Sequence, residues 1–295
     1  MSHILSMELP ASAVRSYVTT SRGQFAALCV QPRKRTGQGV ALLVPGFNGS
    51  KEDFLPLLDP LADAGYKVIA MDLRGQYETG PASADAQYHA EGLASDLTML
   101  AHSVGEGDPV HLVGHSYGGL LARLAVLRNP APESVWASLT LVNFGPAAVS
   151  PWQQERASLL LSVLESSSLA DIWPFLKPED PSIPATALSF LQERWERNEV
   201  EALRAAVRQM LSERDRTADL QAAGVPTSVI CGAPDQTWPE AGVAEMARRL
   251  RAPYTELTGG GHSPNVHTPL LMADALLSFW SSTDRAAARC TGAGA

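Results

Sequence analysis

A mostly parallel α/β sheet with helices on both faces and one helical insertion is the fold class this sequence predicts, on three observations. The continuous apolar run at 40–44 reads as a strand covered on both faces, and the short, mostly apolar stretches at 67–71, 110–113, 138–142 and 227–231 read as further buried strands. Segments of helical periodicity separate most of them, the pattern of parallel strands joined by crossover helices. From 145 to 219 the strand pattern stops and only helical stretches remain. The chain of 295 residues is long enough for one large α/β domain carrying an insertion. We therefore divide it into a core of residues 1–144 and 220–295 and a helical cap of residues 145–219.

Composition narrows the function. Hydrophobic residues make up 45% and charged residues 18%, the balance of a globular chain in water. A net charge of −8 without a long basic run argues against a nucleic-acid partner, because binding phosphates needs clustered cations. Cys29, Cys231 and Cys290 are scattered, odd in number and lack metal-ligand spacing, so neither a disulfide framework nor a metal site is expected. Residues 1–11 show no basic segment followed by an apolar one, and no apolar run reaches the ~20 residues that span a bilayer. A cytoplasmic protein with a small-molecule partner and no membrane partner is the expectation.

Taken in order, 15–20 and 25–31 flank Ser21-Arg22-Gly23 and read as an antiparallel hairpin. A polar turn at 32–38 leads to the strand at 40–44, the loop Pro45-Gly46-Phe47-Asn48-Gly49-Ser50, and a helix over 54–64 that Gly65 ends. The strand at 67–71 closes on Asp72-Leu73-Arg74-Gly75, where Asp72 and Arg74 are expected to brace the turn rather than do chemistry. Residues 76–85 read as loop and 91–103 as helix, and 105–108 turn into the strand at 110–113. Inside the insertion, 152–164, 185–195 and 199–211 read as helices, with Pro174, Pro178, Pro181 and Pro184 punctuating between the first two. Then come the strand at 227–231, a helix over 240–250, a short strand at 254–257 and a last helix over 270–281. The Ala/Gly-rich tail from 284 is expected to fray.

The chemistry gathers around Gly114-His115-Ser116-Tyr117-Gly118, set between a strand and a helix. Gly-x-Ser-x-Gly in that setting is the nucleophile-elbow pattern. A serine raised on a strained corner has crowded neighbours, and residues without a Cβ fit two places before and two after it. Helix amides open just beyond Ser116, so an anion forming at its hydroxyl meets N–H donors and a positive dipole end.

From that elbow outward, the order of parts resembles the α/β-hydrolase superfamily, in its cap-bearing serine esterase and C–C hydrolase-like branch, over about residues 15–280. The resemblance implies an eight-stranded, mostly parallel sheet, no cofactor, and a triad ordered Ser, Asp, His along the chain. Ser116, Asp235 and His262 stand in that order, each just past the carboxyl end of an expected strand, where open α/β sheets bind ligands. His262 follows three glycines, and among the seven histidines it alone has that flexible approach. The place after the strand at 138–142, where some relatives carry the acid, is Asn143, which cannot be an anion. By the same resemblance the backbone N–H groups of Phe47 and Tyr117 form an oxyanion hole. The loop departs from the family in carrying Pro45-Gly46 where most relatives have His-Gly. The expected donor is a backbone N–H, so this replacement leaves it in place.

A serine hydroxyl is a weak nucleophile until a base takes its proton, which assigns that task to His262 and the orientation of the imidazole to Asp235. Candidate pocket residues are Asn48, His115, Tyr77, which stands where relatives often have glycine, and the insertion and loop aromatics Trp152, Trp173 and Trp238. Together the aromatics suggest a mostly apolar pocket with few charged anchors, suited to a small or medium, neutral ester, thioester or lactone. C–C bond hydrolysis, acyl transfer and cyclisation use the same scaffold. A ligand-binding or receptor-like protein with little turnover is the alternative from another class, and it has no need of all three triad residues.

Overall fold

The computed structural model describes residues 8–33, 38–83 and 88–292, with side chains to 287. His3, Asp85 and most of the 1–11 segment lie outside the described residues, as does the side chain of Cys290.

Eight strands form one sheet. In chain order they are β1 (Ala13–Thr20), β2 (Gly23–Val30), β3 (Val40–Val44), β4 (Lys67–Met71), β5 (Val110–His115), β6 (Trp136–Val142), β7 (Thr227–Ala233) and β8 (Tyr254–Thr258). Their spatial order is β1-β2-β4-β3-β5-β6-β7-β8. The hairpin β1–β2 is antiparallel and meets β4 antiparallel, whereas β3 to β8 pair in parallel. The expected strands at 40–44 and 67–71 match residue for residue. Their side chains point alternately into two apolar layers, which is why no polar alternation marks them.

Helix α1 (Leu55–Asp63) covers one face, and α2 (Ala90–Gly105) and α3 (Tyr117–Leu127) cover the other. Leu57, Leu61, Met272 and Trp280 belong to the apolar layer on the α1 side; Leu97, Leu121 and Trp136 belong to the opposite one. Between β6 and β7 the chain forms α4 (Pro151–Leu164), α5 (Leu169–Leu176), α6 (Ala185–Glu196), α7 (Val200–Ser212) and α8 (Thr217–Ala222). This inserted region has an apolar cluster of its own, with Trp173, Phe190, Leu191, Trp195 and Leu203 buried in it. A helix at α5 was not expected across Pro174. Ser168 and Asp171 form a capping box at its start, and two turns are short enough to forgo one backbone bond.

After β7 come α9 (Glu240–Leu250), then β8, the single turn α10 (Pro264–His267) and α11 (Pro269–Gly292). The expected fraying from 284 is corrected as far as Gly292, to which α11 runs, and the rest of the tail, 293–295, lies outside the described residues. Asp284 explains the longer helix. Tyr66 donates its hydroxyl to Asp284 at 2.9 Å, and His111 Nε2 lies 3.2 Å from the same carboxylate. No helix among the described residues is long and apolar enough to cross a membrane.

Candidate active site

Ser116 is the single residue between β5 and α3, at φ 53° and ψ −118°. A residue with a Cβ held there costs roughly 1–3 kcal/mol, and persists only where the surroundings enforce it. They do so through the backbone: Ser116 N donates to Val142 O at 2.9 Å, and its carbonyl accepts from Gly119 N at 2.8 Å. A Cβ on Gly114 would lie 2.5 Å from Gly118 O, and one on Gly118 would lie 2.5 Å from both Val44 O and Pro45 O. Backbone oxygens cannot swing aside, so both places require glycine.

Two loops at the same edge of the sheet complete a hydrogen-bonded row. His262, four residues past β8, puts Nε2 3.0 Å from Ser116 Oγ, and Asp235, two residues past β7, holds Nδ1 at 3.0 and 3.1 Å. A carboxylate only accepts, so Nδ1 carries the proton and Nε2 is left to accept from the serine hydroxyl. Burial by itself pushes the Asp235 carboxyl up. The hydrogen bond and charge of His262, with Asn143 and the Thr237 N–H, outweigh burial and hold it below the usual carboxylate range. Asn143 was set aside in the sequence because it cannot be an anion. Here its Nδ2 donates to Asp235 Oδ2 at 2.9 Å and its Oδ1 accepts from Gly232 N at 2.8 Å, so it fixes the acid.

His115 supports the same row from below. Its Nε2 meets the carbonyl of His262 at 2.7 Å, so Nε2 carries the proton. Burial first, then the neighbouring His262, push its pKa down to about 3. The ring is therefore a neutral donor that pins the backbone of His262. Trp238 lies over His262 with ring centroids 6.4 Å apart, packs against Gly145, and donates Nε1 to Ala147 O at 3.0 Å.

A cavity of about 390 Å³ opens onto Ser116. Gly46 and Phe47 form one wall, Asp235 and His262 another, and Trp152, Arg156 and Met210 of the inserted region close it. Of the candidate pocket residues, His115 and Trp152 line this cavity; Trp152 is half-exposed. Trp173 is buried in the insertion's own core, and Tyr77 packs edge-on to Phe190 with Lys51 beneath it. Asn48 is buried behind the cavity wall, where its Oδ1 accepts from Asn198 Nδ2 at 2.9 Å. Helical periodicity marks which aromatics are buried without saying against what, so the sequence could not separate Trp152 from Trp173.

The insertion is tied to the segment after β3 and to Tyr117 at the start of α3. Arg194 on α6 meets Asp53 at 2.7 Å, with both side chains fully buried, and Asn198 holds Asn48 beside Phe47. Tyr117 donates its hydroxyl to Gln209 on α7, and Gln209 Nε2 donates to Tyr88 O at 3.0 Å. Asp72 and Arg74 are ion-paired as expected: Lys51 Nζ lies 2.8 Å from Asp72, and Arg74 Nε lies 2.7 Å from Asp96. Cys29 and Cys231 are free, and no cluster of potential metal ligands occurs among the described residues.

Comparison with known proteins agrees with this architecture. The chain is 39% identical over 102 residues to a provisional carbamate hydrolase of Variovorax paradoxus, which covers 35% of this chain and 36% of that protein. It is 29% identical over 235 residues to Lipase 3 of a Moraxella species, covering 76% of this chain and 72% of the lipase. The chain spans less than half of the length of some relatives, 36% for the carbamate hydrolase and 41% for one other. Among solved structures, a carboxylesterase from the thaumarchaeon Nitrososphaera gargenis superposes with a TM-score of 0.74 at 18% identity, over 92% of this chain and 99% of that one. The profile of the alpha/beta hydrolase family matches residues 41–275, most of the described core together with its insertion, and the chain belongs to that family.

Proposed function

We propose that the protein is a serine hydrolase that cleaves a carboxylic ester of small to medium size through an acyl-enzyme. The observation that carries this reading is the row Ser116 Oγ, His262 Nε2 and Nδ1, Asp235, with each contact at 3.0–3.1 Å. The protonation pattern of that row suits general-base catalysis: Nε2 faces the hydroxyl with its lone pair, and a buried, ionised Asp235 stabilises the imidazolium formed on proton transfer.

In the first half-reaction Ser116 Oγ bonds to the ester carbonyl carbon as its proton passes to His262 Nε2. The tetrahedral oxyanion is assigned to the N–H groups of Phe47 and Tyr117. The first residue of a helix has no intrahelical partner for its N–H, which leaves the Tyr117 N–H available. Collapse breaks the bond to the alkoxy oxygen, which takes the proton from His262. Water then gives its proton to His262 and bonds to the acyl carbon, and Ser116 leaves with that proton restored. Residues 145–219 serve as the cap that closes the cavity over the acyl group.

The names of the relatives, a lipase and a carbamate hydrolase, agree with acyl chemistry at a carbonyl. Steady-state release of p-nitrophenolate from short-chain esters tests the proposal. Turnover in the wild type that Ser116→Ala and His262→Ala each lower by at least about a thousandfold is the expected result. Folded wild-type protein without turnover on ester, thioester or lactone substrates contradicts it.

A further inference from the structure

All but one of the charged side chains facing the cavity are answered from within the protein. Asp53 is paired with Arg194 at 2.7 Å, and Asp235 is held by His262 and Asn143. Arg156 is the exception. It lines the cavity from α4, and its contact among the described residues is with an aromatic ring and not with a carboxylate. Its guanidinium carbon stands 4.8 Å from the ring centroid of Trp152, one helical turn earlier and also in the cavity wall.

The pair stands at the open side of the cavity, with Arg156 exposed and Trp152 half-exposed, on a helix whose start is anchored. Ser150 caps α4, donates its N–H to Thr237 O at 2.9 Å and donates its hydroxyl to Gln236 O at 2.8 Å. These bonds fix the first turns of α4 against the loop that carries Asp235, so Trp152, Gln153 and Arg156 face the same space as Ser116. The α4 N-terminus adds its positive dipole end on the same side. A guanidinium lying over an indole face keeps its N–H edges free, and those edges match a carboxylate in a two-pronged contact.

We propose that Arg156, steadied by Trp152, is a carboxylate-binding subsite, and that the preferred substrate is an ester with an otherwise apolar skeleton carrying a free carboxylate away from the scissile bond. The inference rests on the serine-hydrolase reading of the same cavity. A volume of about 390 Å³ keeps such a substrate small. The composition of the insertion pointed to neutral substrates; the proposed subsite departs from that expectation because Asp53 and Asp235, the acids in the same cavity, are each already paired and Arg156 is not.

Two measurements separate this inference from the reading beneath it. The first compares kcat/KM for mono-p-nitrophenyl adipate and its methyl ester, two substrates of nearly equal shape that differ in one charge. The wild type is expected to favour the anion by about tenfold or more, Arg156→Gln to bring the ratio near one, and Arg156→Glu to invert it. A wild type without preference, or an Arg156→Gln variant that slows both esters equally, overturns the subsite. The second measures adipate binding to Ser116→Ala by calorimetry, where no chemistry is required. Binding that weakens about tenfold when Arg156→Gln is added upholds the subsite even if esters are not turned over, in which case the hydrolase reading alone fails. Adipate binding that ignores Arg156, or no binding, sinks the subsite, while nitrophenolate release from the methyl ester keeps the hydrolase reading standing.

Discussion

Replacing Arg194 with methionine should lower stability more than any surface change in this protein, and in a pH-dependent way. Arg194 and Asp53 are both fully buried and 2.7 Å apart, so removal of the cation leaves a carboxylate without its counter-charge in the interior. Removing one partner of a buried pair costs about 3–5 kcal/mol. With an unfolding entropy of about 2.1 cal/mol/K per residue, a chain of 295 residues has roughly 0.6 kcal/mol/K, so the expected fall in Tm is about 5–8 °C. Burial already raises the Asp53 pKa, and the charge and hydrogen bond of Arg194 only partly oppose it. In Arg194→Met that opposition is gone and the folded pKa rises further above the unfolded one. An acid raised in the folded state binds its proton more tightly there, so the variant's stability falls as pH rises through the folded pKa. Differential scanning calorimetry from pH 5 to 8 reads this directly. The Tm deficit should widen with pH, and Asp53→Asn in the same background should recover part of it. A deficit under about 2 °C, or one flat across that range, would refute the assignment of a dry ion pair between the insertion and the loop behind Phe47.

Other perturbations follow from the same contacts. Asn143→Leu removes a donor to Asp235, whose folded pKa lies below its unfolded value; the stability this gives is present above the unfolded pKa and lost as pH falls through the folded one, so the variant's acid-unfolding midpoint should move to higher pH, as read by circular dichroism. Gly145→Ala puts a Cβ 2.2 Å from the Trp238 ring, and should cost about 1–3 kcal/mol in urea unfolding while disturbing His262 beneath that ring. Asn198→Ala and Gln209→Leu release the ties from the insertion to Asn48 and Tyr117. Each should lower kcat by up to about a hundredfold with a much smaller change in KM, measured by steady-state ester hydrolysis.

How far the molecule was legible in its sequence depends on how local each cause is. The strands β3 and β4 were read to the residue because a strand buried on both faces is a continuous apolar run with turn residues at its ends. Ser116, Asp235 and His262 were legible as a set from strand ends and chain order, and the structure brings the three within hydrogen-bonding reach. Asn143 was passed over because its contribution lies in a contact 92 positions away, with no local pattern to announce it. The pairing of Arg194 with Asp53 spans 141 positions and was equally silent. The persistence of α11 past Asp284 rests on Tyr66 and His111, and an Ala/Gly-rich tail carries no sign of such partners. Among the aromatics, Trp152 and Trp173 look alike in the sequence, and only the packing of α4 and α5 sends one to the cavity and the other to the core.

The most direct test of the account asks whether Ser116 is an activated nucleophile. Wild-type protein and the Ser116→Ala, His262→Ala and Asp235→Asn variants would be incubated with a fluorophosphonate, followed by intact mass and peptide mapping. The account predicts one adduct per chain on Ser116, none in Ser116→Ala, and strongly slowed labelling in the other two variants. Folded wild-type protein that stays unlabelled, or that is labelled at another residue with Ser116 intact, would contradict it.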